Sequence, residues 1–320
     1  MPTYKSFDEF SQKALAYFEK EETLQTAYDT LTEAAPHFPE QARIIYNWRY
    51  CAAALLGKSD LALQLMQEAL DAGFWYREDY FRNDEDLKSL QGLPEFNRLV
   101  EENERRHQAA QAEAKPLLLT MPAPATTTEP LPLLMTLHGN NSNAENSVEF
   151  WESAVEHGWL TALPQSSQVF SSEGYVWDDF EWGARELKAH YQELSTKHPV
   201  DSARVIVGGF SKGGEMAIWL ALKEVIPLAG FIAVNPGGPL IQEPDDWKPL
   251  LEGCNNLADL RGFFLAGEND PNLENIKTTY EMLNSHGLAC ELVVAPEIAH
   301  DFPEDFSQIL AQALKYVLGG

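Results

Sequence analysis

The chain has 320 residues, 44% hydrophobic and 22% charged, and its 23 Lys and Arg against 49 Asp and Glu give a formal net charge of -26. This is a globular balance with an acidic surface, which repels phosphate backbones and argues against nucleic acid as a partner. No run of 18 apolar residues occurs, the start MPTYKSFDEF lacks the cationic and apolar parts of a secretory signal, and Cys51, Cys254 and Cys290 form no CxxC pair. A membrane span and a structural zinc site are therefore not expected, and a reducing cytoplasm is.

The first 113 residues read as helices. Phe7, Phe10, Ala14, Leu15 and Phe18 recur at helical spacing, as do Leu24, Ala27, Tyr28 and Leu31. Pro36 and Pro39 interrupt the chain. A third apolar face (Ile44, Ile45, Trp48, Cys51, Ala52, Leu55) ends at Gly57, and a fourth (Leu61, Ala62, Leu65, Met66, Ala69, Leu70) ends at Gly73. Two helix pairs result, with Tyr28 matching Met66 and Leu31 matching Ala69. The second pair, AAALLGKSDLALQLMQEALDAGF, resembles tetratricopeptide repeats, and Leu87, Leu90, Phe96, Leu99 and Val100 are suited to closing the apolar end of the stack. So few repeats rarely stand alone, so this domain is expected to shield the rest of the chain or act as a lid. The alternative is a surface that binds a protein or peptide partner.

Composition shifts at Lys115, which divides the chain into domains 1–113 and 114–320. The stretch KPLLLTMPAPATTTEPLPLLMTLHG predicts strands on both sides of a Pro/Thr-rich turn. Further strands are predicted at Leu160–Leu163, Arg204–Val207, Gly230–Val234, Gly262–Leu265 and Ala289–Val294. Helices are predicted at Ser147–Glu156, Trp182–Lys197, Gly214–Glu224, Asn272–His286 and Asp305–Leu318. Strands alternating with helices imply an α/β fold, a mostly parallel sheet with helices on both faces, preceded by the all-α domain. Unbroken apolar strands such as VIV and FIAV suit a sheet buried on both sides. Sites in such sheets lie at the carboxyl ends of the strands.

One stretch carries chemistry in that setting. VIVGGFSKGGEMAIWLAL places Gly209-Phe210-Ser211-Lys212-Gly213, a G-x-S-x-G pattern, between a buried strand and a helix, the context of a nucleophile elbow. The pattern alone is weak, because Gly and Ser are common in turns. Its value rests on partners. RGFFLAGENDPNL ends a strand and offers Asp270, with Glu268 as a rival and Asp245 and Asp246 as reserves. CELVVAPEIAHDFP puts His300 after the next strand. Ser211, Asp270 and His300 thus occur in the chain order of a hydrolase triad. Taken singly, Asp270 would be a turn residue or helix cap and His300 a loop residue. Upstream, LPLLMTLHGNNSN ends a strand in His138-Gly139-Asn140. The backbone N–H groups of Asn140 and Lys212 are the candidate oxyanion donors. His138, Tyr175 and Trp177 are candidate substrate contacts, with loop support as the other reading of His138 and packing as that of the aromatics. GGFSKGG fails the P-loop spacing and no metal-ligand spacing occurs, so neither cofactor nor metal is expected.

Together LLMTLHGNN, VIVGGFSKGGEMAIWLAL, FFLAGENDPNL and IAHDFP resemble the α/β-hydrolase superfamily over about residues 116–320. The GFSxGG form with its HG loop and G-x-x-D-P acid motif resembles the phospholipase/carboxylesterase branch, which includes acyl-protein thioesterases and small esterases. The resemblance implies an α/β-hydrolase fold and a serine hydrolase acting on a small-molecule ester or thioester. A small-peptide peptidase is an alternative, and a repeat-based interaction protein with an inactive hydrolase domain is another of a different class. Two departures stand out. Lys212 occupies a position where many relatives have Gln, and its side chain is expected to face solvent. HGNNSN replaces a Gly-rich HGxGD loop.

Overall fold

The computed structural model describes residues 7–18, 21–121 and 129–320, so the Pro/Thr-rich turn lies largely outside them. The chain forms two compact units. One runs to Glu113 and takes in Phe170–Ser172; the other comprises Ala114–Val169 and Glu173–Gly320.

The first unit is helical: α1 (Phe7–Ala16), α2 (Leu24–Ala34), α3 (Ala42–Leu55), α4 (Ser59–Asp71), the short α5 (Glu78–Arg82) and α6 (Pro94–Glu113). The apolar stripes face inward. Phe10, Ala14, Leu31 and Ala34 form one cluster, against which Phe7, Phe38 and Trp48 pack. Leu87, Leu90, Phe96, Leu99 and Val100 are all fully buried.

A polar cluster lies within these helices. Asn47 donates to the Tyr50 hydroxyl at 2.7 Å and accepts from Tyr80 at 2.9 Å, while Arg43 donates to Tyr76 at 2.9 Å. Cys51 Sγ donates to Asp84 at 3.6 Å, and Asp86 is within reach. Burial, reinforced by the two nearby carboxylates, holds the Cys51 thiol well above its ordinary pKa.

The second unit contains a seven-stranded sheet in the order β1 (Leu117–Thr120), β3 (Leu160–Gln165), β2 (Leu131–Leu137), β6 (Val200–Phe210), β7 (Gly230–Val234), β8 (Arg261–Gly267) and β9 (Ala289–Ala295). Only β1 is antiparallel to its neighbour. Two short strands, β4 (Val169–Ser171) and β5 (Gly174–Tyr175), lie between β3 and β6 in the chain. The helices are α7 (Val148–Trp151), α8 (Ser153–Glu156), α9 (Phe180–Lys197), α10 (Lys212–Leu222), α11 (Pro239–Gln242), α12 (Lys248–Gly253), α13 (Leu273–Ser285) and α14 (Phe306–Val317).

The unbroken apolar strands follow from this layering. Successive strand residues point to opposite faces. Leu133, Met135, Val205, Val207, Phe231 and Ala233 enter a core with residues of α9, α10 and α13. The intervening Leu134, Ile206, Ile232 and Val234 enter a second core with residues of α7, α8 and α14. A sheet buried on both faces leaves its strand ends as the place for polar groups. Register aligns Leu137 with Gly209, Phe210 with Val234, and Val234 with Leu265. The segments after β2, β6, β7 and β8 therefore emerge along one edge, and β9 joins them through its pairing with β8.

Candidate active site

β6 ends at Phe210 and α10 begins at Lys212. Ser211 makes the whole turn between them, at φ 53° and ψ -121°. A non-glycine residue there stores strain, on the order of 1–3 kcal/mol, and persists only when its surroundings hold it. Its N–H donates to Val234 O at 3.0 Å. Its carbonyl accepts from Gly214, Glu215 and Gly237 at 2.9, 3.1 and 3.1 Å. The flanking glycines are needed for closeness. A Cβ on Gly209 would collide with the backbone of Gly213, and one on Gly213 with the carbonyls of Leu137 and His138. The loop after β2 thus presses against the elbow, with Gly139 over the Phe210 ring. Asn140 follows at the exposed end of that loop. The Lys212 N–H belongs to the first turn of α10, where backbone donors lack helical acceptors and the helix dipole is positive.

His300 Nε2 lies 2.8 Å from Ser211 Oγ, and its Nδ1 lies 2.7 Å from Asp270 Oδ2. With Nδ1–H donated to the carboxylate, Nε2 is left to accept the serine proton. Asp270 has a fully buried side chain, and its Oδ1 accepts the Asn272 N–H at 2.7 Å. The rivals stand elsewhere: Glu268 accepts from the Glu297 N–H, and Asp245 pairs with Lys248. Phe210 lies beside the His300 ring at 5.1 Å and stacks on Phe302, which stacks on Phe150.

Several supports went unread in the sequence. Asn235, fully buried at the end of β7 with φ 41°, donates to Asp301 O at 2.6 Å and accepts from Gly267 N at 2.7 Å. One amide therefore joins the ends of β7 and β8 to the loop that carries His300. Its signal was an asparagine closing the apolar run FIAVN.

The expectation for the Lys212 side chain is overturned. It is buried, with Nζ 2.6 Å from Glu215 Oε2 and 4.7 Å from the Phe180 ring centroid. The other Glu215 oxygen accepts from the N–H groups of Leu240 and Ile241 at 2.6 and 3.3 Å. Burial raises the Glu215 carboxyl pKa, with Lys212 and these N–H groups opposing. The pair fastens the helix after Ser211 to the start of α11.

His138 and Trp177 also need correction as substrate contacts, because they are 1% and 0% exposed and offer a substrate no surface. His138 Nδ1 donates to Gly139 O at 2.8 Å, and Nε2 accepts from Ser166 N at 3.3 Å. Burial lowers its imidazole to about 4. Trp177 Nε1 donates to His138 O at 3.1 Å. Both brace the loop that carries Asn140. Behind them, the buried Glu186 accepts from the hydroxyl and N–H of Ser167 and from Trp182 Nε1. Tyr175 is half-buried, its backbone bridged to Ser142.

The arrangement can transfer a proton from a hydroxyl to an imidazole oriented by a buried carboxylate. Residues 184–318 match the family model described as phospholipase/carboxylesterase, and residues 6–111 match that of an A/B hydrolase-like N-terminal domain. The latter match does not carry the tetratricopeptide likeness. A crystal structure of an uncharacterized protein from Bacillus cereus is 30% identical, covering 98% of each chain, with a TM-score of 0.53. Esterase PE8 is 18% identical over 63% of this chain and 99% of that one, with a TM-score of 0.52. Est1E from Butyrivibrio proteoclasticus, solved with ferulic acid bound, is 15% identical over 64% and 95%, with a TM-score of 0.50. These last two show the fold alone. No curated protein matches the chain. Among the described residues, no helix is long and apolar enough to cross a membrane.

Proposed function

This chain belongs to the phospholipase/carboxylesterase family of α/β-hydrolases and is a hydrolase of esterase type, and on that premise we propose that it cleaves carboxylic esters through an acyl-enzyme on Ser211. His300 Nε2 takes the Ser211 proton as Oγ attacks the ester carbonyl carbon. The carbonyl π electrons move to oxygen, and the N–H groups of Asn140 and Lys212 stabilise the resulting oxyanion. Asp270 holds the imidazole in orientation and stabilises its cation. Collapse of the intermediate breaks the bond to the alcohol oxygen, which takes the proton from His300. Water then attacks the acyl-enzyme, giving up its proton to His300. Ser211 recovers a proton as the carboxylic acid leaves.

The observation that carries this reading is the connected line from Ser211 Oγ through His300 to the buried Asp270, at 2.8 and 2.7 Å, on a residue held at φ 53°. A fluorophosphonate probe tests it. Wild type should acquire one covalent adduct on Ser211, and Ser211→Ala none. Labelling elsewhere, or no labelling of wild type, overturns the assignment.

A further inference from the structure

Beside Ser211 lies a space bounded by three groups. A Cβ built on Gly237 would sit 3.6 Å from Ser211 Oγ, 3.6 Å from His300 Cε1 and 3.3 Å from Asn272 Nδ2. One point is thus within contact distance of the candidate nucleophile, its base and a side-chain amide. All four residues are only partly buried, so the point is not sealed in the core. It exists because residue 237 has no side chain.

Asn272 occupies the N-cap position of α13, where asparagine ordinarily bonds the first N–H groups of the helix. Here it makes no such side-chain bond. Its backbone N–H donates to Asp270 Oδ1, which fixes the residue next to the candidate acid. Among the described residues, its amide group has no hydrogen-bond partner, although it faces the point beside Ser211. A donor beside a reacting centre discriminates between substrates that can and cannot accept its bond.

We propose that Asn272 is a specificity-determining residue, donating from Nδ2 to an acceptor oxygen that the ester carries near its scissile carbonyl. The inference rests on the reading of Ser211 as nucleophile. A substrate atom at the point is only a few bonds from a carbonyl carbon in attack position over Oγ. The acceptor is therefore an ether or hydroxyl oxygen on the α-carbon of the acyl part, or on the second carbon of the alcohol.

Two isosteric ester pairs distinguish these sources. For the acyl part, p-nitrophenyl methoxyacetate is compared with p-nitrophenyl butyrate. For the alcohol part, 2-methoxyethyl butyrate is compared with butyl butyrate. Taking each variant relative to wild type cancels the intrinsic reactivity of the esters. Asn272→Leu should lower kcat/KM for the ether member of one pair about tenfold more than for its alkyl partner, the effect of one neutral hydrogen bond. The pair that responds identifies the side of the substrate. Gly237→Ala fills the point without demanding an unusual φ. It should lower kcat/KM for both members of that pair, chiefly through KM. Equal losses for ether and alkyl members with Asn272→Leu, in both pairs, overturn the proposal, as does a Gly237→Ala enzyme that handles all four esters like wild type. Ser211→Ala, measured in parallel, separates the two levels. If it retains turnover, the nucleophile assignment falls; if it is inactive while the pairs respond alike, only the role of Asn272 falls.

Discussion

Each unit of this protein sets a nucleophilic atom near a carboxylate, and the two settings differ in what lies between and around them. In the helical unit, Cys51 Sγ lies 3.6 Å from Asp84 with no base interposed, and Cys51 is 4% exposed. The acid and the burial both favour the neutral thiol, the unreactive form. In the second unit, His300 stands between Ser211 and Asp270, and Ser211 and His300 keep open surface. The carboxylate acts on the imidazole and not directly on the nucleophile. Closeness of acid and nucleophile is thus no sign of reactivity, and the sign of the acid's effect depends on whether a proton carrier separates them. The folds produce the difference. Paired helices close over their polar residues, whereas a parallel sheet brings several strand ends to one open edge.

The largest expected effect tests that contrast directly. Ser211→Ala or His300→Ala should lower kcat on p-nitrophenyl acetate by on the order of 10⁴-fold or more, and near-normal turnover by either variant would sink the acyl-enzyme reading. Asp270→Asn comes next. It keeps the shape but removes the acceptor that fixes the imidazole tautomer, and a loss of about 10³–10⁴-fold is expected. Glu268→Gln should stay within about twofold, because Glu268 only receives the Glu297 N–H in an exposed loop. The opposite ranking would move the acid to Glu268.

How much of this was legible varies with the range of the interactions. The sheet strands could be read because a two-sided core demands an unbroken apolar run, and β7 occurs with the expected bounds. β6 extends three residues past the predicted Val207 to Phe210, because the glycines that follow still pair in register with β2 and β7. The expected helix Ser147–Glu156 is broken at Glu152, between α7 and α8. β4 and β5 are too short to leave a periodic signal. Ser211, His300 and Asp270 could be picked out because strand ends and chain order confine them. Asn235, Glu215 and Glu186 could not, since no local pattern links them to partners that lie 66 residues away for Asn235 and Asp301, 25 for Glu215 and Leu240, and 19 for Glu186 and Ser167. Lys212 departs from its expected exposure for a related reason: lysine is ordinarily exposed, and nothing local shows that Glu215, one turn on, is buried with it.

The loop supports should reveal themselves in stability. Folded His138 stays neutral down to about pH 4, whereas an ordinary imidazole takes up its proton near 6.5. Between those values the unfolded chain binds more protons. The stability present above pH 6.5 is therefore lost as pH falls toward 4, by about 1.4 kcal/mol per pH unit from this group. Urea unfolding at pH 7 and pH 5 should show a drop in wild type that is smaller in His138→Gln. Equal drops in both would show that the imidazole does not enter the core uncharged.

The smallest expected effect completes the comparison between the two nucleophilic atoms. Cys51→Ala should leave kcat within about twofold, since that thiol has no base and no open surface. Its cost belongs to folding, on the order of 1 kcal/mol for a buried side chain trimmed by one atom. The same closure predicts that Cys51 in native protein resists iodoacetamide at pH 8 and becomes reactive in urea, while the half-buried Cys254 reacts first. Rapid native alkylation of Cys51, read by peptide mass, would mean that the helical cluster opens and that a carboxylate beside a thiol does not hold it inert.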